Sequence, residues 1–280
     1  MTIFGTALVL GGGGVTGIAW ETGLIAGLAE AGLDLTRAET VVGTSAGSVV
    51  GAQITSGEAL ENLFAEQLRD ASDEVAAALG KGDLLRFGAY LLMPGDSRKK
   101  RARLGRAAIR ADTVDESVRV EVIRERIGER PWPQRRLLVT AVNARTGEFQ
   151  VFDRESGVDL VHAVASSCAV PLVWPPVSVN GDRYIDGGMR SPANADLANG
   201  ARHVVALAPI PTAFSRTGRV QTQLDRLGSG VASLLICPDA QSKRAIGSNV
   251  LDPAKRAASA RAGRRQAESV LERVRAVWPA

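Results

Sequence analysis

A serine between two glycines, in Gly43-Thr44-Ser45-Ala46-Gly47, is the first group in this chain with the type and spacing for chemistry. A serine nucleophile has to project from a sharp turn whose backbone crowds its neighbours. Small residues two positions to either side, here Gly43 and Gly47, relieve that crowding. Thr40–Val42 ahead of the turn reads as a buried strand, and a helix starts near Ser48. The start of such a helix aims its positive end at any oxyanion formed on Ser45. The same five residues also fit an ordinary tight turn.

Two further stretches bear on that choice. Gly11-Gly12-Gly13-Gly14-Val15-Thr16-Gly17 follows the apolar run Thr6–Leu10 and opens a helix. Consecutive glycines let backbone N–H groups converge on an anion, because no Cβ obstructs the approach. An oxyanion hole fits this loop. So does dinucleotide binding, since Gly12-x-Gly14-x-x-Gly17 matches G-x-G-x-x-G, and so does a plain strand–helix turn. The dinucleotide reading needs an acid at the end of the second strand, about 20 residues on, to hold the ribose. Here that strand ends in Gly43-Thr44-Ser45, while Asp34 and Glu39 lie before it. Two adjacent strand ends thus carry the glycine loop and the serine turn, which favours an oxyanion hole beside a nucleophile. Downstream, Asp186-Gly187-Gly188 puts a carboxylate at a sharp bend after the strand Arg183–Ile185.

In that order, the glycine loop, G-x-S-x-G and Asp-Gly-Gly resemble the patatin-like phospholipase family over residues 6–210. Weaker matches are Ala165-Ser166-Ser167-Cys168-Ala169-Val170-Pro171 and Asn194. The resemblance implies a three-layer α/β fold with a mainly parallel central sheet flanked by helices. It implies a Ser–Asp dyad in which Ser45 is the nucleophile and Asp186 its partner. Gly12, Gly13 and Gly14 then supply the oxyanion hole, with Gly17, Gly43, Gly47, Gly187 and Gly188 as motif support. One departure is Thr16, where family members usually carry Arg or Lys. The expected activity is lipid acyl-ester hydrolysis, with a lipid or acyl-ester substrate and no cofactor. The alternatives are a Ser-His-Asp esterase of the α/β-hydrolase type and a non-catalytic nucleotide- or lipid-binding protein.

The elements that must position these groups are legible in outline. Strand, glycine turn and helix alternate twice before residue 55, as in a parallel α/β sheet. Residues 58–130 read as a helical insertion. Strands are expected at Arg136–Asn143, Phe149–Asp153 and Ala201–Leu207, with a helix at Asp159–Ser167. Asn180-Gly181, between Val177–Val179 and Arg183–Ile185, signals a hairpin. The chain reads as a single domain, residues 1–280: a catalytic core over 6–210 and a helical extension over 211–280.

Aromatics make up only 4% of the 280 residues, so the core is built from Ala, Val, Leu and Ile. There are 2 histidines, which leaves little material for a His-based metal site; no metal is expected. His203 follows Asp186 and His162 precedes it, so only His203 could complete a triad in the α/β-hydrolase order. Cys168 and Cys237 match no metal spacing and read as free, buried thiols. No apolar run is long enough to span a bilayer, and the N-terminus reads as a strand and not a leader, so the expected location is cytoplasmic. Net charge is only +4, but Arg98, Lys99, Lys100, Arg101, Arg103, Arg106 and Arg110 fall in one acid-free run. Beside the apolar stretch Asp83–Met93, that run suits peripheral contact with an anionic membrane, at the inner face; nucleic acid is not expected.

Overall fold

Ala7-Leu8-Val9-Leu10 is apolar at every position, which suits a strand covered on both faces, and all four residues are fully buried. The computed structural model describes residues 4–69, 95–213 and 215–279. Its strands are β1 (Phe4–Leu10), β2 (Thr40–Thr44), β3 (Arg136–Asn143), β4 (Phe149–Phe152), β5 (Val177–Val179), β6 (Asp182–Asp186), β7 (Ala201–Leu207) and β8 (Ala232–Ile236). They form one sheet in the order β5-β6-β3-β2-β1-β7-β8, with β4 pairing β3 off that path. β3, β2, β1, β7 and β8 run parallel. β4 and β6 pair antiparallel with β3, and β5 with β6. The Asn180-Gly181 hairpin forms as expected, with both residues at positive φ, 51° and 85°.

The helices are α1 (Gly14–Glu30), α2 (Ala46–Ile54), α3 (Leu60–Leu68), α4 (Ser97–Ile109), α5 (Glu116–Ile127), α6 (Leu160–Ser167), α7 (Val220–Asp225), α8 (Ala240–Ile246) and α9 (Arg256–Arg275). Several start where an aspartate caps the first turn. Asp96, Asp115 and Asp159 accept the amides of Lys99, Ser117 and His162. One face of the sheet is covered by α1, α2, α5 and α6 around Leu8, Leu10, Val41 and Val139. The other carries Ala7, Val9, Val42 and Val204 against the 193–198 segment and α7. The result is the mainly parallel, three-layer α/β fold.

α1 has no wet face. Every residue from Thr16 to Leu28 is buried, because α9 lies across its outer side. The contact is close enough that a Cβ on Gly23 would stand 2.1 Å from the Ala260 carbonyl oxygen, and one on Gly263 would stand 2.2 Å from that of Trp20. Trp20 Nε1 donates to Gln266 Oε1 at 3.0 Å across the same seam. Arg264 bridges Glu30 and Glu61 at its edge.

Two expectations need correction. The stretch 211–280 is not wholly helical: β8 adds a parallel strand beside β7. A short apolar run between Gly230 and Pro238, half-exposed as it is, carries no periodicity that separates strand from helix. Cys237 is half-buried, whereas Cys168 is buried; both are free. In the insertion, α3, α4 and α5 are helices as expected, while the apolar stretch 83–93 lies outside the described residues. No helix among the described residues is long and apolar enough to cross a membrane.

Candidate active site

β3 sets the spacing of the site. On one side Thr44 of β2 pairs with Thr140; on the other Asp186 of β6 pairs with Ala141. The residue after Thr44 is Ser45. Two groups distant in sequence thus meet over one strand at the C-terminal end of the parallel sheet, where ligands gather in open α/β folds.

Ser45 joins β2 to α2 with φ 53° and ψ −118°. A non-glycine residue held at positive φ costs of order 1–3 kcal/mol and persists only where its surroundings enforce it. Here they do. The Ser45 amide donates to Ser167 Oγ at 2.9 Å, and its carbonyl accepts from Ser48 Oγ at 2.6 Å. Cys168 Sγ donates to the same carbonyl at 3.3 Å. The Gly47 amide donates to the Gly11 carbonyl at 2.9 Å, tying the serine turn to the glycine loop. A Cβ at Gly47 would lie 2.1 Å from the Leu10 carbonyl oxygen, and one at Gly43 2.5 Å from Ser48 Cα, so the turn closes only with glycine at both places.

Asp186 is 3% exposed, and its Oδ1 accepts the Gly188 amide at 2.7 Å. Burial pushes its carboxyl up to about 6 from the ordinary 3.8, against the opposing pull of the nearby Ser45 hydroxyl, the Gly188 amide and the Arg119 charge. Gly187 lets the bend rest on β3, since a Cβ there would meet Thr140 Oγ1 at 2.3 Å.

The glycine loop runs alongside. A Cβ on Gly12 would stand 3.5 Å from that of Ser45. Of the three loop glycines, Gly12 already donates its amide to the Pro192 carbonyl at 2.7 Å. The amides of Gly13, Gly14 and Ala46 make no hydrogen bond among the described residues. Gly17 sits in the first turn of α1, its amide on the Gly13 carbonyl at 2.8 Å.

Neither histidine reaches this end of the sheet. His203 is level with Thr6 of β1, whereas Leu10 is level with Gly43. At about 3.3 Å per residue that places it on the order of 15 Å from Ser45 along the strands. Its Nδ1 bonds the Val277 carbonyl oxygen at 2.7 Å. His162 sits in the first turn of α6 with its Nδ1 2.7 Å from Asp159 Oδ2. No group of three or more His, Cys, Asp or Glu among the described residues could hold a metal ion.

The sequence profile of the patatin-like phospholipase family matches residues 8–199, a span that includes the glycine loop, Ser45 and Asp186. The chain belongs to that family. No curated protein matches it at a significant level. Among solved structures, VipD from Legionella pneumophila is similar at 13% identity and a TM-score of 0.46, covering 98% of this chain and 67% of its own. The type III effector protein ExoU is similar at 18% identity and a TM-score of 0.41, covering 96% of this chain and 53% of its own.

Asn194, Arg119 and Thr16 surround these groups. The Asn194 side-chain amide reaches Thr44 Oγ1 at 3.1 Å, Thr140 Oγ1 at 3.2 Å and the Gly187 carbonyl oxygen at 3.3 Å. It therefore joins β2, β3 and the bend after β6 beside Ser45 and Asp186, from a left-handed conformation of its own. Arg119, on α5, stacks over Trp174 at 4.2 Å with its charge bearing on Asp186. Thr16, at the loop position usually basic in the family, turns away from the anion site. Its amide and hydroxyl both donate to the Val250 carbonyl, at 3.2 and 3.1 Å. The C-terminal part of the chain thus anchors the loop by hydrogen bonds.

Proposed function

We propose that this protein hydrolyses lipid acyl esters through a Ser45–Asp186 dyad. The observation that carries the reading is the placement of the strained Ser45 and the buried Asp186 carboxyl on either side of β3, beside loop amides without partners among the described residues. Asp186 takes the hydroxyl proton as Ser45 Oγ attacks the ester carbonyl. The oxyanion falls to the amides of Gly13 and Gly14, with Gly12 holding the loop in place through Pro192. Collapse expels the alcohol, which takes its proton from Asp186. Water then attacks the acyl-enzyme as Asp186 draws its proton, and collapse breaks the acyl–Oγ bond, releasing the fatty acid while Asp186 returns the proton to Ser45. Stabilising the oxyanion with fixed amides is worth about 3 kcal/mol per donor. A fluorophosphonate probe should label the wild type at Ser45 and leave Ser45→Ala unlabelled. Equal labelling of both would move the nucleophile to another residue, and no labelling of either would leave a binding protein that only keeps the loops.

The buried carboxyl also sets the pH response. As a base, Asp186 acts only when ionised, so hydrolysis should rise as pH passes about 6. The sign for stability is opposite. A folded-state value of about 6 against 3.8 unfolded means the fold binds the proton more tightly, so stability falls from pH 4 to pH 6 and stays lowered above. Ionised Asp186 then costs about 1–3 kcal/mol at pH 8. Asp186→Asn should be more stable than wild type by that amount at pH 8, and lose the advantage below pH 4. Urea titrations at both pH values measure it; an Asn variant destabilised equally at both would overturn the assignment.

Peripheral contact with an anionic membrane belongs to the same reading. A groove of about 480 Å³ between α4 and the Arg145–Thr146 turn is lined by Arg98, Lys99, Arg103, Arg106 and Arg145, with Asp96 as its one acid. The turn follows β3, on the rim that carries Ser45 and Asp186. Clustered cations on that rim suit lipid phosphates. Binding to vesicles containing phosphatidylglycerol should exceed binding to phosphatidylcholine alone and weaken with salt. Equal, salt-independent binding to both would remove the membrane from the proposal.

A further inference from the structure

Glu21 is a buried acid that the dyad mechanism leaves unused. It lies in the second turn of α1, fully buried, and its Oε1 accepts the Gly11 amide at 2.9 Å. The Gly11 peptide is a junction. Its amide also meets the Leu207 carbonyl at 3.0 Å, and its carbonyl accepts the Gly47 amide at 2.9 Å. The backbone of one residue, Gly11, therefore holds the start of the glycine loop, the end of β7 and the serine turn together. Glu21 Oε2 has no hydrogen-bond partner among the described residues. Burying an acid with one oxygen unsatisfied costs free energy that an apolar side chain of similar volume would not.

We propose that Glu21 is a positioning residue for hydrolysis: by fixing the Gly11 peptide it holds the glycine-loop amides in register with Ser45. The proposal rests on the Ser45–Asp186 reading above. Burial pushes the Glu21 carboxyl well above the usual carboxylate range, and the Gly11 amide only partly offsets this. Burial thus favours the neutral acid over the carboxylate at this position. A charged carboxylate beneath the loop would oppose the oxyanion that the loop has to stabilise. A neutral glutamic acid and a glutamine have the same shape and the same acceptor oxygen. What matters at this position is then the reach of that oxygen, not a charge.

Steady-state hydrolysis of p-nitrophenyl butyrate by Glu21→Gln, Glu21→Ala and Glu21→Asp tests this, with unfolding midpoints taken alongside. Glu21→Gln should keep kcat within about threefold of wild type. Glu21→Ala should lose about 30-fold or more in kcat with KM within about threefold, since the lost contact acts on the transition state and not on substrate binding. Glu21→Asp retains the acid but falls short of Gly11 by a methylene, and should lose kcat like alanine. It serves as the deciding variant if Glu21→Ala does not fold. A folded Glu21→Ala or Glu21→Asp with wild-type kcat overturns the proposal, as does a Glu21→Gln as impaired as alanine or a change confined to KM. A wild-type protein without activity or fluorophosphonate labelling overturns the dyad reading instead.

Discussion

Ser45→Ala and Asp186→Asn should each abolish ester hydrolysis, by about 10⁴-fold or more in kcat. The expectation follows from the interdependence of the two groups. A serine hydroxyl is a poor nucleophile without a base, and a carboxyl becomes an effective base only when its value is raised toward working pH. Burial has done that to Asp186. The Asn variant keeps the shape and the oxygen that accepts the Gly188 amide, so it should fold and still fail. The double variant should be no worse than either single, because the residues act as one unit. His203→Ala and His162→Ala should stay within about threefold of wild type, since the histidines sit on the Val277 carbonyl and on Asp159. Hydrolysis of a short-chain ester by the purified variants measures all of this. A folded His203→Ala that is inactive would transfer the base to that histidine.

Ending the chain at residue 210 should cost the fold itself, not only activity. The family match stops at residue 199, yet the sheet and its covering layer continue beyond it. Removing the remainder strips β8 from β7 and uncovers α1. The seam then exposes Trp20 and loses the burial of Val270, Val274 and Trp278. At about 1.5–3 kcal/mol for each large apolar side chain, those three alone approach the 5–15 kcal/mol by which a domain is stable. The truncated protein should lack a cooperative thermal transition in far-UV circular dichroism. A cooperative melt with retained hydrolysis would show that the extension is dispensable.

What the sequence made legible was local. The apolar run at β1, the glycine-flanked Ser45, the Asn180-Gly181 turn and the bend at Asp186 each carry their signal within a few residues. What stayed hidden depends on partners far along the chain. Nothing near Gly12 tells that Pro192 occupies its amide, and nothing near Thr16 points to Val250. Glu21 was invisible for another reason: an acid on a helix reads as solvent-facing until a second helix is known to cover that side. The buried outer face of α1 is the same lesson. Its small residues, Gly23 and Gly27, mark a close helix contact only once α9 is seen against them. The strand β8 was missed because a brief apolar run on a sheet edge has no period to read.

The placement of β3 between β2 and β6 has a consequence for how the protein comes to be active. Ser45 and Asp186 never neighbour one another along the chain, nor do their strands pair directly. Each is brought to its place by pairing with the strand between them. Long-range pairing of this kind closes late, because large loops must be ordered before any contact rewards them. If Ser45 and Asp186 act as the proposed dyad, a newly made chain has the Ser45 turn long before it has a nucleophile. On that proposal the serine becomes reactive only when β6 joins the far side of β3, and each turnover would report a sheet that has finished assembling.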